Sequence, residues 1–295
     1  MILMNRRAVL GAAGGLAGAA ATTGVLPGRA KAAPVGHEVY TASPEGAVVD
    51  STVILGEEKA VLIDGQFSLP DGRALAEMIA GTGRNLETVV ITHMHPDHHL
   101  GLQAIAERFP NARIVAHPAV AAEIAEVAEP QLQAMREMAP DAFAERVVPV
   151  EALDGSAVVL EGERIDILDP MVGDTATTTP VWVSQLGLLV ASDIVFDGTH
   201  VWVAEALTDE YLDAWRASLD VLEGLGASVI VPGHRIDTST NDAAGLAYTR
   251  GYLDAWQAAL AETTTAEELQ AAMVERVGEL PLSFALDRAV AATGR

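Results

Sequence analysis

Short apolar runs recur along this chain, and most of them stop abruptly at a small or charged residue. Residues 60–63 read Ala-Val-Leu-Ile before Asp64, and residues 88–91 read Thr-Val-Val-Ile before Thr92. Residues 188–191 read Leu-Leu-Val-Ala before Ser192-Asp193, and residues 229–231 read Val-Ile-Val before Pro232-Gly233-His234. Runs of this length, β-branched and bounded by turn residues, predict buried strands. A further strand is expected over 47–55 and another over 113–116. Between them the spacing predicts helices over 71–80, 100–109 and 119–138. Alternating strands follow from Val147 to Asp193. Thr208-Asp209-Glu210 opens an amphipathic helix reaching Leu225, with Thr208 as N-cap and Glu210 in its first turn. Beyond Asn241 the chain reads as helical, including 265–277, and this segment is expected to pack on the rest or to mediate a homodimer. No short-period repeat and no dividing linker is present.

The chemistry sits where the strands end. Thr92-His93-Met94-His95-Pro96-Asp97-His98 places three imidazoles and a carboxylate within six consecutive positions. Side chains leaving a strand end are held by a rigid edge, so such a cluster keeps fixed geometry. Imidazole nitrogen with carboxylate oxygen suits zinc, and also manganese or iron. Chance clustering of histidines accounts poorly for four potential ligands at this spacing.

The pattern resembles the metallo-β-lactamase superfamily of metallohydrolases. The resemblance extends over roughly residues 37–240 and takes in the segments ending at Asp64, Asp193 and His234. It implies an α/β fold, the four-layer αβ/βα sandwich of that family. It implies that His93 and His95 serve a first metal, that Asp97, His98 and His234 serve a second, and that Asp193 bridges the two. It also places Asp64 behind the metals. One position departs from the family. The loop 169–180 should supply a third histidine to the first metal, and it contains none. Asp174 stands close to the expected place. Two readings of it remain open: a carboxylate ligand in the histidine's stead, or a residue that only fixes the turn. In the second case the first site keeps two histidines, Asp193 and water.

The implied chemistry is hydrolytic, with two zinc ions expected and manganese or iron as alternatives. A metal brings the pKa of its water towards neutrality, and Asp97 is the catalytic residue that helps to orient or deprotonate it. Asp193 favours the glyoxalase II and lactonase-like branches, hence an ester, thioester or lactone as the small-molecule substrate. Alternatives are β-lactam hydrolysis, or a metal- or ligand-binding protein with a degenerate first site and little turnover. His200 and Trp202, just beyond Asp193, are candidates for the substrate wall, against the plainer reading of a surface histidine and a half-buried tryptophan. His99 is expected to point away from the metals, and His37 and His117 to have no functional role. The segment 119–146 is expected to cover the active site.

Charge and the N-terminus bear on location and partners. Asn5-Arg6-Arg7 precedes an Ala/Gly-rich stretch that ends at Ala30-Lys31-Ala32. Residues 1–32 thus resemble a twin-arginine export signal with an A-x-A cleavage pattern, and 33–295 form the metallo-β-lactamase-fold domain. The apolar part is too short and too broken to span a membrane, so a periplasmic or secreted protein without a stable membrane anchor is expected. Loss of Arg6, Arg7, Arg29 and Lys31 takes the formal charge from −23 to −27. Such a surface opposes nucleic-acid backbones. The chain has no cysteine, which removes thiolate-ligated zinc, thiol catalysis and disulfides together.

Overall fold

The structure, a computed structural model, describes residues 36–295. The export signal read over 1–32 lies outside the described residues. The chain enters through two antiparallel strands, β1 (Gly36–Thr41) and β2 (Asp50–Leu55), followed by β3 (Lys59–Ile63). Helix α1 (Leu69–Gly81) crosses to β4 (Asn85–Ile91), and α2 (Leu102–Arg108) crosses to β5 (Arg113–Ala116). Helix α3 (Pro118–Met138) then leads to the short β6 (Glu151–Ala152). These strands form one sheet in the order β1-β2-β3-β4-β5-β6, parallel from β3 to β6.

The second half is a hairpin-rich sheet. It contains β7 (Ala157–Leu160), β8 (Glu163–Ile167), β9 (Val181–Val183) and the long β10 (Leu188–Asp197). Helix α4 (Asp209–Gly224) returns the chain to β11 (Val229–Arg235), which pairs parallel to β10. The order is β11-β10-β9-β8-β7. Three helices close the chain: α5 (Ala243–Glu262), α6 (Ala266–Val277) and α7 (Ser283–Ala292).

Period-two alternation explains the layering. In β3, Ala60 and Leu62 face the core shared with α1, α2 and α3, whereas Val61 and Ile63 face the other sheet. In β10, Leu188 and Val190 join that inter-sheet core, and Leu189 and Ala191 meet the layer of α4 to α7. Both faces of each central strand are therefore apolar, which is why these runs read as continuous hydrophobic blocks rather than as alternation. The result is the expected four-layer αβ/βα sandwich.

Several boundaries move. The expected strand 47–55 begins at Asp50, because Ala47 and Val48 take left-handed backbone angles, φ 65° and 47°. β1 carries no strong sequence signal and is held by its register with β2. The α1 helix starts earlier, at the cap formed where Ser68 accepts from the Asp71 N–H. Thr208 caps α4 as expected, and Thr265 with Glu268 forms a full capping box on α6. A clasp at the turn after β7 joins the sheets: the Glu161 carboxylate accepts from the backbone N–H groups of Glu57, Glu58 and Lys59 at 2.6–2.8 Å. Among the described residues no helix is long and apolar enough to cross a membrane.

Candidate metal centre

Four loop or strand ends converge at one edge of the sandwich. His93, His95, Asp97 and His98 follow β4, the last two in a single 3₁₀ turn begun by Pro96. Asp174 comes from the loop between β8 and β9, Asp193 from within β10, and His234 from β11. They form two groups whose ligand atoms lie within 4.8 Å of one another: His93, His95, Asp174 and Asp193, then Asp97, His98 and His234. All seven residues singled out in the sequence as ligands are thus brought together, Asp174 included.

Backbone geometry aims two of these carboxylates. Ser192 has φ 50°, and the pairing of β10 with β11 slips on either side of it. Such an irregularity re-aims the following side chain, here Asp193. Gly233 lies against that carboxylate so closely that any Cβ would collide with Asp193 Oδ1. Gly173 allows the Asp174 loop a similar approach: a Cβ there would stand 2.8 Å from the Asp193 carbonyl, to which the Asp174 N–H donates at 3.1 Å.

The histidines are held by their outer nitrogens. His98 Nδ1 bonds Asp64 Oδ2 at 2.9 Å and His234 Nδ1 bonds the Ala47 carbonyl at 2.8 Å, so the Nε2 lone pairs of both point inward. The Thr92 hydroxyl ties Asp64 (2.8 Å), Ser192 (2.7 Å) and His93 Nδ1 (3.1 Å) into one buried network. Asp64 itself sits at φ 63° and also accepts the Thr92 N–H.

The inner atoms approach closely, and apart from the hydrogen bond between His234 Nε2 and Asp193 Oδ2 most of them do not pair. His95 Nδ1 is 2.6 Å from Asp174 Oδ2, and His93 Nε2 is 3.7 Å from the same oxygen. His98 Nε2 is 3.1 Å from Asp193 Oδ1, and His234 Nε2 is 3.2 Å from Asp193 Oδ2 and 3.3 Å from Asp97 Oδ2. Yet His93 Nε2, His98 Nε2, both Asp174 oxygens and Asp193 Oδ1 are buried without a hydrogen bond. Each such orphan costs about 1–3 kcal/mol unless something else satisfies it. Atoms this near and this poorly aligned with one another are aimed at common points between them, as ligands of a cation are. The residues therefore fit divalent metals, with nitrogen and carboxylate donors and no thiolate.

Electrostatics agree. Burial, reinforced by Asp193, pushes the Asp174 carboxyl up to about 7 although His95 opposes it, the behaviour of a carboxylate that needs a cation. Burial also works against the charge on Asp193 and Asp97, but His234 and His98 hold Asp193, and His98 and His234 hold Asp97, below the usual carboxylate range. His234 is driven up to about 10: burial opposes its charge, and Asp193 and Asp97 overcome it. His93 goes the other way, lowered by burial and by the neighbouring His98.

Of the remaining histidines, His99 turns away and bonds the Met94 carbonyl at 3.2 Å. His117 caps α3 through Nδ1, and His37 lies on β1. His200 and Trp202 both line a cavity of about 780 Å³ that opens onto the metal centre. His200 is buried against the Tyr252 hydroxyl at 2.9 Å, not a surface residue. Trp202 stands edge-on to His95, ring centres 5.6 Å apart, and donates to Glu205. Glu205, whose Oε1 is 3.7 Å from His95 Nε2, is a neighbour that no motif announces. Thr92 and Ser192 did stand in quoted segments, each one residue before a ligand, but a hydroxyl network spanning 100 residues leaves no spacing signal.

The fold and this site define a class, and sequence comparison names it. The profile of the metallo-beta-lactamase superfamily matches residues 45–234, and the chain belongs to that superfamily, whose members are generally hydrolases. A beta-lactamase-like protein 2 homolog of Caenorhabditis elegans is 27% identical over 188 residues, 62% of this chain and 55% of the relative. The matched region thus spans about half the length of that curated relative. Among solved structures, a metallo-beta-lactamase family protein of Thermus thermophilus superposes with TM-score 0.61 at 22% identity, covering 87% of this chain and 91% of that one. A beta-lactamase domain protein of Burkholderia ambifaria gives 0.61 at 18% identity, with coverage of 88% and 84%. At these identities the two structures show a shared fold.

Proposed function

We propose that this protein is an exported dinuclear zinc hydrolase that opens an ester, thioester or lactone with water. The observation that carries the reading is the set of inward-facing, hydrogen-bond-orphaned donor atoms at the mouth of a deep cavity. His93, His95 and Asp174 would hold one ion, Asp97, His98 and His234 the other, with Asp193 between them. When bound, such ions bring the pKa of water towards neutrality and draw charge from a carbonyl oxygen. Asp97 is the protein's own contribution at the reacting centre. All three carboxylates line the cavity, and Asp97, with 17% of its side chain exposed while Asp174 and Asp193 are sealed, is the most open of them. From that position it would accept a proton from the attacking water and fix the direction of attack. Asp193 and Asp174 would complete the donor sets and balance the ions' charge.

The twin-arginine-like segment supports export, and the acidic surface supports a small-molecule substrate rather than nucleic acid. Fractionation of cells expressing the full chain should find it outside the cytoplasm, and replacing Arg6 and Arg7 with Lys should retain it inside. For the chemistry, Asp97→Ala should lower kcat on the best ester of a hydrolytic panel by about 10²-fold or more, as expected for a lost general base, with circular dichroism unchanged. Undiminished turnover in that variant would sink the mechanism.

A further inference from the structure

The cavity beside the metal centre is far larger and more apolar than water attack on a small ester requires. One wall comes from the end of α3 and the loop after it, with Met135, Met138 and Phe143, the last packed edge-on to Phe67 at 4.9 Å. A second part of the wall comes from the start of α7, with Leu282 and Phe284, and the Phe284 and Trp202 rings stand 6.2 Å apart. Leu282 holds a left-handed backbone, φ 62°, and the His200 N–H is bonded to the carbonyl of the preceding Pro281 at 2.9 Å. This second wall lies beyond residue 234, outside the stretch that matches the superfamily profile.

Two features point to an elongated occupant. Met138 and Phe284 are 74% and 48% exposed, among the few large apolar side chains of the described residues left in water, and both stand on this cavity. Solvated apolar groups flanking an apolar cleft mark a binding surface. Methionine and leucine conform to a flexible chain, while phenyl and indole faces lie against methylenes. Away from the metal ligands the polar residues of the lining are Ser43, Glu45, Ser68, Asp71, His200 and Arg288, and the Asp71 carboxylate is already engaged by Tyr40 and Ser68. His200 Nδ1 is engaged by Tyr252.

We infer that the cavity binds a long aliphatic acyl chain, between the end of α3 and the start of α7, with the scissile carbonyl at the metal centre. This rests on the hydrolase reading above and specifies its substrate class. Selectivity follows from the area removed from water: roughly fourfold per buried methylene, the equivalent of about 0.8 kcal/mol, until the cavity is filled.

The test is hydrolysis of 4-nitrophenyl esters of two-, six- and ten-carbon acids by the zinc-supplied protein, below their micelle concentrations. The inference expects kcat/KM to rise at least 10²-fold from the shortest to the longest. Ala139→Trp, which fills the first wall, should cut the ratio of long- to short-chain rates by tenfold or more. Phe284→Glu, at a position already 48% exposed, should also lower that ratio. A flat or falling series would overturn the acyl-chain inference and leave the hydrolase reading standing. Should no ester be hydrolysed, the hydrolase reading fails. Calorimetric titration with hexanoate and decanoate then decides the inference. Affinity that grows with length, and is weakened by Ala139→Trp or Phe284→Glu, supports it; affinity independent of length overturns it.

Discussion

Asp64 makes no direct claim to a metal, yet part of the centre hangs on it. Its Oδ2 holds both His98 Nδ1 and the Thr92 hydroxyl, and Thr92 in turn steadies His93 and Ser192. Removing such a partner frees the ligand rings to rotate and typically costs 10–100-fold in metal affinity. Asp64→Ala should therefore weaken zinc binding by about that factor, read by competition with a chelating dye, while every direct ligand is still present. Unaltered affinity would show that the ring orientations are set elsewhere. At this scale the sequence was unevenly legible. His93, His95, Asp97 and His98 are consecutive enough to announce themselves, and Asp193 and His234 each end an apolar run. Asp174 was ambiguous because a lone aspartate in a Gly- and Thr-rich loop serves turns as readily as ions. Only the fold, by docking that loop on Thr92 and Asp193, places it 2.6 Å from His95.

Elements carry the ligands through close backbone approach. The loop bearing Asp174 lies against β10, where Gly173 leaves no room for a side chain: a Cβ would stand 2.8 Å from the Asp193 carbonyl and 3.0 Å from Ile194 Cγ1. Gly173→Ala should push the loop outward, destabilise the protein by about 1–3 kcal/mol in urea denaturation, and reduce metal content. A variant indistinguishable from wild type in both would show that the loop has slack. The strands were readable because their apolar runs are buried on both faces. β1 was missed because its side chains are only part-buried and its place is set by pairing with β2. The start of β2 was misplaced because left-handed angles at Ala47 and Val48 interrupt an otherwise strand-like run. That turn has a use, since it presents the Ala47 carbonyl to His234. The role of α7 in the cavity wall was likewise hidden, since an amphipathic stretch names its apolar face but not the partner it meets.

Over the whole molecule, the two sheets meet at the same edge that bears the metal centre. His234 forms an isolated bridge to Val49, and Arg235 pairs with the buried Asp50 at 3.0 Å. Ligands from both halves close on one site, so ion binding should stabilise the fold as a unit. At zinc concentrations a hundredfold above Kd the gain is about 2.7 kcal/mol, or roughly 5–10 °C in Tm for a chain of this size. Differential scanning calorimetry with zinc and then with chelator should show that rise and its reversal; a Tm indifferent to both would mean the clusters do not bind metal in the native state.

The central claim is that both clusters hold an ion and that Asp174 completes the first. Metal content per chain, measured by elemental analysis on protein purified without chelator and supplied with zinc, tests it most directly. The account predicts two equivalents in the wild type and a loss towards one in Asp174→Ala. One equivalent or fewer in the wild type, or two in both proteins, would contradict it.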